Sequence, residues 1–399
     1  MNISILLPYK ENYSPLYAGA VSIFVNSTSK ISKYKKNITI FGSTDYKKIL
    51  SKNYKNIKLN KHFLLSQSKD YVKKFLEIQK KKIPAIIEVH NRPIYIKDLI
   101  ELKTELVLYF HNDPITMMGS KTVRDRIILL NQCSKIIFNS EWSKKQFLFK
   151  LDNFYHKSKK LIVIHQSVNK TNVNVESKKK IITFVGKLNS SKGYDLFGQA
   201  VIKILNKFPE WKALVIGDEI REKYDFNHKN LKILGFVPHH KVLKHFEKTN
   251  IAVVCSRWEE PFGRTSLEAA ANGCAVIITN KGGLPETVTD AKILKRLNIV
   301  ELKKALNYLI KNKISRKKLQ TLSIKNFYLT HKYVTKCIDN YRLEKFSYLN
   351  KVNIRRKKNN LRILHITNFN ERLDGRLFFN TGRRINNGFI RLGHSVLGF

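Results

Sequence analysis

Two patterns of apolar and polar positions alternate along this chain, and their order suggests its architecture. Short apolar runs rich in Val and Ile recur at residues 3–8, 38–42, 85–89, 106–110, 135–139 and 161–165. Each is too short for a helix and reads as a strand buried on both faces. Between them lie segments with helical spacing, such as 70–82 and 124–133, and a helix is predicted from about Ala20. This alternation argues a parallel sheet with helices on both sides. The pattern lapses through residues 167–180, which are polar, rich in Asn and Lys and without period, as in a linker. It then restarts, with strands predicted at 181–185, 214–217, 231–234, 251–255 and 275–279, and helices from about 300 to 346.

The predicted organisation is therefore an α/β protein with two doubly wound domains, residues 1–166 and 181–330, followed by a helix over 331–350. The last stretch begins with a charged linker at 351–360 and continues with a strand at 361–367, a helix-like segment and a second strand at the end. This piece is too short to bury a core of its own. It reads as the start of a second, similar domain or as an appendage of the main body.

Composition sharpens the picture in three ways. The 399 residues are 43% hydrophobic, enough for substantial cores and against global disorder. No run of 18 apolar residues occurs, and the start lacks the basic and apolar regions of a secretion signal, so a cytoplasmic protein without a membrane span is expected. Cys133, Cys255, Cys274 and Cys337 are scattered without a C-x-x-C pair, which reads as reduced core cysteines and no metal site.

The formal net charge of +45 bears on partners. It favours an anionic surface such as the inner face of a membrane. An equally weighted reading is compositional: lysine is spread along the whole chain, alongside abundant Asn and Ile. Nucleic acid ranks below both, because no binding motif or aromatic-basic platform occurs.

Candidate chemistry concentrates in residues 251–288, IAVVCSRWEEPFGRTSLEAAANGCAVIITNKGGLPETV. Strand, loop, helix and strand form a βαβ unit whose loop opens at the carboxyl edge of a parallel sheet, where such folds bind ligands. Glu260 lies in the loop and Glu268 eight positions on, inside the helix. Pro261, Phe262, Gly263 and Arg264 lead into that helix, so backbone N–H groups there lack helical partners. Glu268 sits on a mostly apolar helix and needs hydroxyls or a cation as partner. Gly273 is placed to end the helix as its C′ residue. Upstream, Lys187 and Lys192 flank the loop GKLNSSKG before another predicted helix, which suits a diphosphate. In the first half, two strands end in His-Asn pairs, His90-Asn91 and His111-Asn112. His239 and His240 precede a helix and read as exposed capping positions.

The stretch resembles the donor-site signature of the retaining glycosyltransferases of family 4, which have the GT-B fold. The two glutamates share the family spacing, Phe262-Gly263 follows the first, and Gly282, Gly283, Leu284, Pro285 and Glu286 match a Gly-Gly-x-Pro-Glu turn. The resemblance implies two Rossmann-like domains with the donor site in the cleft between them. It implies that Glu268 holds the ribose hydroxyls of a nucleotide diphosphate sugar, while Glu260 and the Phe262, Gly263 and Arg264 amides hold the transferred sugar. The family's Gly-Arg-Leu, three residues, Lys-Gly pattern places Lys187 and Lys192 on the diphosphate, with Lys187 departing from Arg. By the same resemblance His111 lies near the sugar, with His90 and Asn112 as weaker candidates, Gly19 near the diphosphate, and Phe236 and Val237 on the base. Ser140 and Glu141 either cap a helix or touch acceptor.

The expected function is retaining transfer of a sugar to a cell-surface glycan or lipid-linked acceptor such as lipopolysaccharide core. The chain has no D-x-D motif, so no metal or cofactor is implied beyond the donor. The competing class is a catalytically silent scaffold, or a binder of anionic surfaces.

Overall fold

The computed structural model describes residues 2–59, 66–357, 361–366, 381–392 and 394–398. Two compact units separate, Met1–Ile338 and Asp339–Phe399, with the boundary inside one long helix, His331–Lys357. The first unit holds two sheets, and every strand pair in them is parallel.

The first sheet contains β1 (Ile3–Leu6), β2 (Ile38–Gly42), β3 (Tyr54–Asn56), β4 (Ile86–His90), β5 (Glu105–Phe110), β6 (Lys135–Phe138) and β7 (Leu161–Val163), in the order β3-β2-β1-β4-β5-β6-β7. The second contains β8 (Lys179–Val185), β9 (Lys212–Ile216), β10 (Leu231–Ile233), β11 (Thr249–Val254), β12 (Ala275–Thr279) and β13 (Lys292–Leu294), in the order β10-β9-β8-β11-β12-β13. Each sheet is thus wound outward in both directions from a central pair, the Rossmann order.

Burial explains why these runs are strands. In β5 and β12 the residues are buried on both faces almost throughout, because helices cover both sides. Alternate residues of β11 feed opposite layers. Ile251 and Val253 pack with Tyr194, Phe197 and Leu306, while Ala252 and Val254 pack with Val242, Phe246 and Ala270. Helix Arg264–Ala271 brings Ala269 and Ala270 to that second layer, and Gly273 (φ +66°) ends it. The Gly273 and Cys274 N–H groups bond back to the Ala270 and Ala269 carbonyls at 2.9 and 3.0 Å, a Schellman closure.

Several elements differ from the sequence reading. The edge strands β3 and β13 were not expected, since three residues leave no apolar run to detect. Strand β8 starts at Lys179, inside the stretch read as linker; its first residues pair with β11 rather than bury side chains. Helix His331–Lys357 continues through residues 351–357, read as a charged linker; that segment holds no Gly or Pro and is rich in Lys and Arg, good helix formers.

Of the four cysteines, Cys133, Cys255 and Cys274 are buried and Cys337 is half-buried, all as free thiols. Among the described residues, no helix is long and apolar enough to cross a membrane. In the second unit, Arg362–His365 and Ser395–Gly398 pair in parallel, and helix Thr381–Arg391 lies between them in sequence.

Candidate active site

The order of each sheet reverses beside its first strand, so loops leaving β1 and β4, and those leaving β8 and β11, diverge and open a crevice at each point. Most candidate residues sit on these loops and on the neighbouring end of β5; Glu268 lies in helix Arg264–Ala271, and Phe236 and Val237 follow β10.

His111 follows β5 and is buried. Its Nε2 lies 2.9 Å from His90 Nδ1, and its Nδ1 lies 3.4 Å from Gln166 Nε2. Asn91 takes a left-handed backbone (φ +55°), and its Oδ1 accepts the His111 and Asn112 N–H groups, both at 3.1 Å. Asn139 donates to the His111 carbonyl at 3.0 Å. The imidazole is therefore fixed at ring and backbone. Burial, and then the neighbouring His90, push its pKa well below the usual range, so it stands neutral at pH 7.

Across the crevice, the loop after β8 turns through Gly193 at φ +74°, where a Cβ would come within 2.0 Å of the Cys255 carbonyl. Only glycine lets this loop approach the loop after β11 so closely. The Asn189 side chain accepts from the Lys192 N–H at 3.0 Å. Arg257 forks onto Asp195 through two 2.6 Å bonds, joining the loop after β11 to helix Tyr194–Lys207. Lys192 Nζ, thus placed, reaches Glu260 Oε1 at 2.5 Å. Glu260 is held by its backbone as well: the Gly283 N–H donates to its carbonyl at 2.7 Å, and a Cβ on Gly282 would stand 2.2 Å from that same oxygen. The double glycine is what lets the turn pack against Glu260.

Glu268 is buried in helix Arg264–Ala271. Its Oε1 accepts from Arg264 Nε at 2.6 Å and His239 Nε2 at 2.7 Å. Burial alone would raise its pKa, but Arg264 and His239 outweigh burial and hold the carboxyl below the usual range. The partners demanded by a buried carboxylate are therefore the Arg264 guanidinium and the His239 imidazole. His239 was read as an exposed cap; it lies in the first turn of helix His239–Lys248, facing Glu268. His240 is exposed.

A cavity of about 260 Å³ separates the two halves, lined by His111, Asn112, Asn139 and Gln166 on one side and Lys192, Glu260, Phe262, Gly263 and Arg264 on the other. Glu268 stands behind Arg264, outside this lining. Gly19 is also outside, although Ala20 lines the cavity. A Cβ on Gly19 would meet Glu11 Oε1 at 2.2 Å, and that oxygen accepts the Ser22 N–H at 3.1 Å. A carboxylate thus occupies the helix start where an anion was expected. Lys187 is exposed and outside the lining. Phe236 and Val237 are outside too, and Phe236 stacks on Tyr17, which stacks on Tyr46, each pair with centroids 5.1 Å apart. Ser140 takes the capping role, accepting the Ser143 N–H at 2.9 Å. Asn139, Gln166, Glu11 and His239 were not singled out as site residues; their partners are too distant in sequence for spacing to reveal them.

Residues 165–325 match the family model described as Glycosyl transferases group 1. That stretch is similar to group 1 glycosyl transferases. Curated relatives of the chain include spore coat protein SA of Bacillus subtilis, 31% identical over 127 residues, which cover 29% of this chain and 34% of that protein. The lipopolysaccharide core biosynthesis mannosyltransferase LpsB of Rhizobium meliloti is 30% identical over 127 residues, 29% of this chain and 36% of that protein. The chain thus spans about a third of the length of these relatives. Among solved structures, Alr3699/HepE of Anabaena in complex with UDP superposes with a TM-score of 0.68 at 16% identity, over 86% of this chain and all of that one. That likeness establishes the GT-B fold, a pair of Rossmann-like domains.

Proposed function

We propose that the chain transfers a sugar from a nucleotide diphosphate sugar to a hydroxyl acceptor with retention of anomeric configuration. The observation that carries this reading is the Lys192–Glu260 pair at 2.5 Å, set across a cavity from the neutral, immobilised His111. Departure of a diphosphate leaves negative charge on phosphate and positive charge on the sugar, and this pair presents an ammonium and a carboxylate to the two. In this reading Lys187 adds charge from the cavity rim, while Gly19 makes room for the Glu11 carboxylate at the start of the first helix. Glu260 and the Phe262, Gly263 and Arg264 amides hold the sugar beside His111. Both the Arg264 and the His239 contacts to Glu268 fall on Oε1, which leaves Oε2 to the ribose hydroxyls. Phe236 and Val237 meet the base. Lysines supply the positive charge, so the reaction runs without a metal and survives a chelator.

The acceptor in this proposal is a cell-surface glycan or glycolipid such as lipopolysaccharide core, supported by the Rhizobium relative and by the capsule-region (cps) protein of Klebsiella pneumoniae that is 28% identical over 217 residues. The chain would act in the cytoplasm at the anionic inner face of the membrane, drawn there by its +45 charge.

Calorimetry and donor hydrolysis with UDP-, GDP- and ADP-sugars test the reading. One donor class should bind, with slow hydrolysis in the absence of acceptor. If no nucleotide sugar binds and none is hydrolysed, the proposal is wrong.

A further inference from the structure

The helix Glu141–Leu148 belongs to the first half of the cleft, yet its start is completed by a residue of the second. Its Ser143 N–H is capped by Ser140, but the Glu141 and Trp142 N–H groups have no partner within the helix. Both donate to Glu286, to Oε2 at 2.7 Å and Oε1 at 2.9 Å. His165 Nε2 lies 3.1 Å from the same Oε2. Beside this, Ser140 Oγ donates to the Pro261 carbonyl at 2.5 Å. A carboxylate at a helix start is favourable in itself. Here burial would raise the Glu286 pKa, but the bonds from His165, Trp142 and Glu141 outweigh it and hold the carboxyl below the usual range.

The contact joins the two turns that place the proposed reacting groups. Glu286 lies three residues beyond Gly283, which holds the Glu260 carbonyl, and Ser140 follows Asn139, which holds the His111 carbonyl. We infer that Glu286 is a positioning residue, a helix cap supplied across the cleft that sets the register of Glu260 against His111. The turnover consequence rests on the sugar-transfer reading; the capping itself does not.

Two measurements on Glu286→Ala and Glu286→Gln test this. Hydrogen exchange should speed up at the Glu141 and Trp142 amides in Glu286→Ala, and less in Glu286→Gln, which keeps one acceptor oxygen. Affinity for the free nucleotide diphosphate should stay within about twofold, because Lys187, Lys192 and Glu268 all lie on the second half. Turnover with the donor identified by the nucleotide panel should fall about tenfold or more in Glu286→Ala, the scale of a lost charged hydrogen bond, with Glu286→Gln between it and the native chain. Unchanged exchange in Glu286→Ala, with a thermal melt showing it folded, overturns the cap. Faster exchange with native turnover overturns the positioning role. If the native chain transfers no sugar, the functional reading fails on its own, and exchange alone then decides the cap.

Discussion

His239 and Arg264 grip one oxygen of Glu268, from 2.7 and 2.6 Å, so a buried carboxylate on an alanine-rich helix is held by two side-chain donors on the same oxygen. Replacing Glu268 by Ala should weaken nucleotide binding by about 1–3 kcal/mol and also lower stability, since Arg264 and His239 lose their partner. Replacing His239 by Ala should cost less binding, because Arg264 still holds the carboxylate. Calorimetry with free nucleotide diphosphate, paired with thermal melts, checks both. A folded Glu268→Ala variant with native affinity would remove the ribose from this site.

Lys192 and Lys187 offer a contrast within one loop. Lys192 lines the cavity and touches Glu260, whereas Lys187 is exposed. Lys192→Ala should cut turnover about a hundredfold, the scale of removing one aimed donor to developing charge. Lys187→Ala should cost only a few-fold. Steady-state rates on the two variants decide, and equal losses would move the phosphates to the rim.

His331 gives the fold a dependence on acid. Burial, and then the nearby Arg264 guanidinium and His239, lower its pKa to about 4 from the ordinary 6.5. Above pH 6.5 it is neutral whether folded or unfolded and costs nothing. Between 6.5 and 4 the unfolded chain binds a proton that the folded chain resists, so stability falls as pH falls, by up to about 3 kcal/mol. His331→Asn should flatten this slope in urea melts at pH 7 and 4.5. An unchanged slope would assign the loss to other groups, His111 among them.

Every proposed donor-site residue lies in the unit Met1–Ile338. A chain ending near residue 348 should therefore melt and bind donor as the full chain does. A chain ending near residue 331 should lose stability, because it removes the helix whose first residue lies 2.9 Å from Ser167 and whose Thr335 reaches the Thr28 carbonyl at 3.5 Å. Melts and donor titrations on the three lengths separate these outcomes. Unfolding of the 348-residue chain would make the remaining residues integral to the main body.

What could be read from the sequence was what lies close along it. The βαβ unit around Glu260 and Glu268 announces itself because strand, loop, helix and glycine turn are consecutive, and fully buried strands leave unbroken apolar runs. The Glu286 cap could not be read, since Glu141 lies 145 positions from it, nor could the His239 contact, 29 positions from Glu268. Spacing reports helical neighbours and strand faces, and says nothing of which side chains meet across a cleft. The three-residue edge strands β3 and β13 escaped for a related reason: pairing, not hydrophobicity, defines them.

The strand order also dictates a sequence of events during synthesis. Strand β8 is central to its sheet, but its second neighbour is β11, which aligns Ile251 with Ile182. Until β11 leaves the ribosome, β8 can pair only with β9, and one edge of an apolar strand stays open. Such edges recruit other chains, and pairings this distant form slowly. The second sheet is thus prone to aggregation while it waits for the segment that carries the candidate site loop, so the loop and the closure of the sheet arrive together.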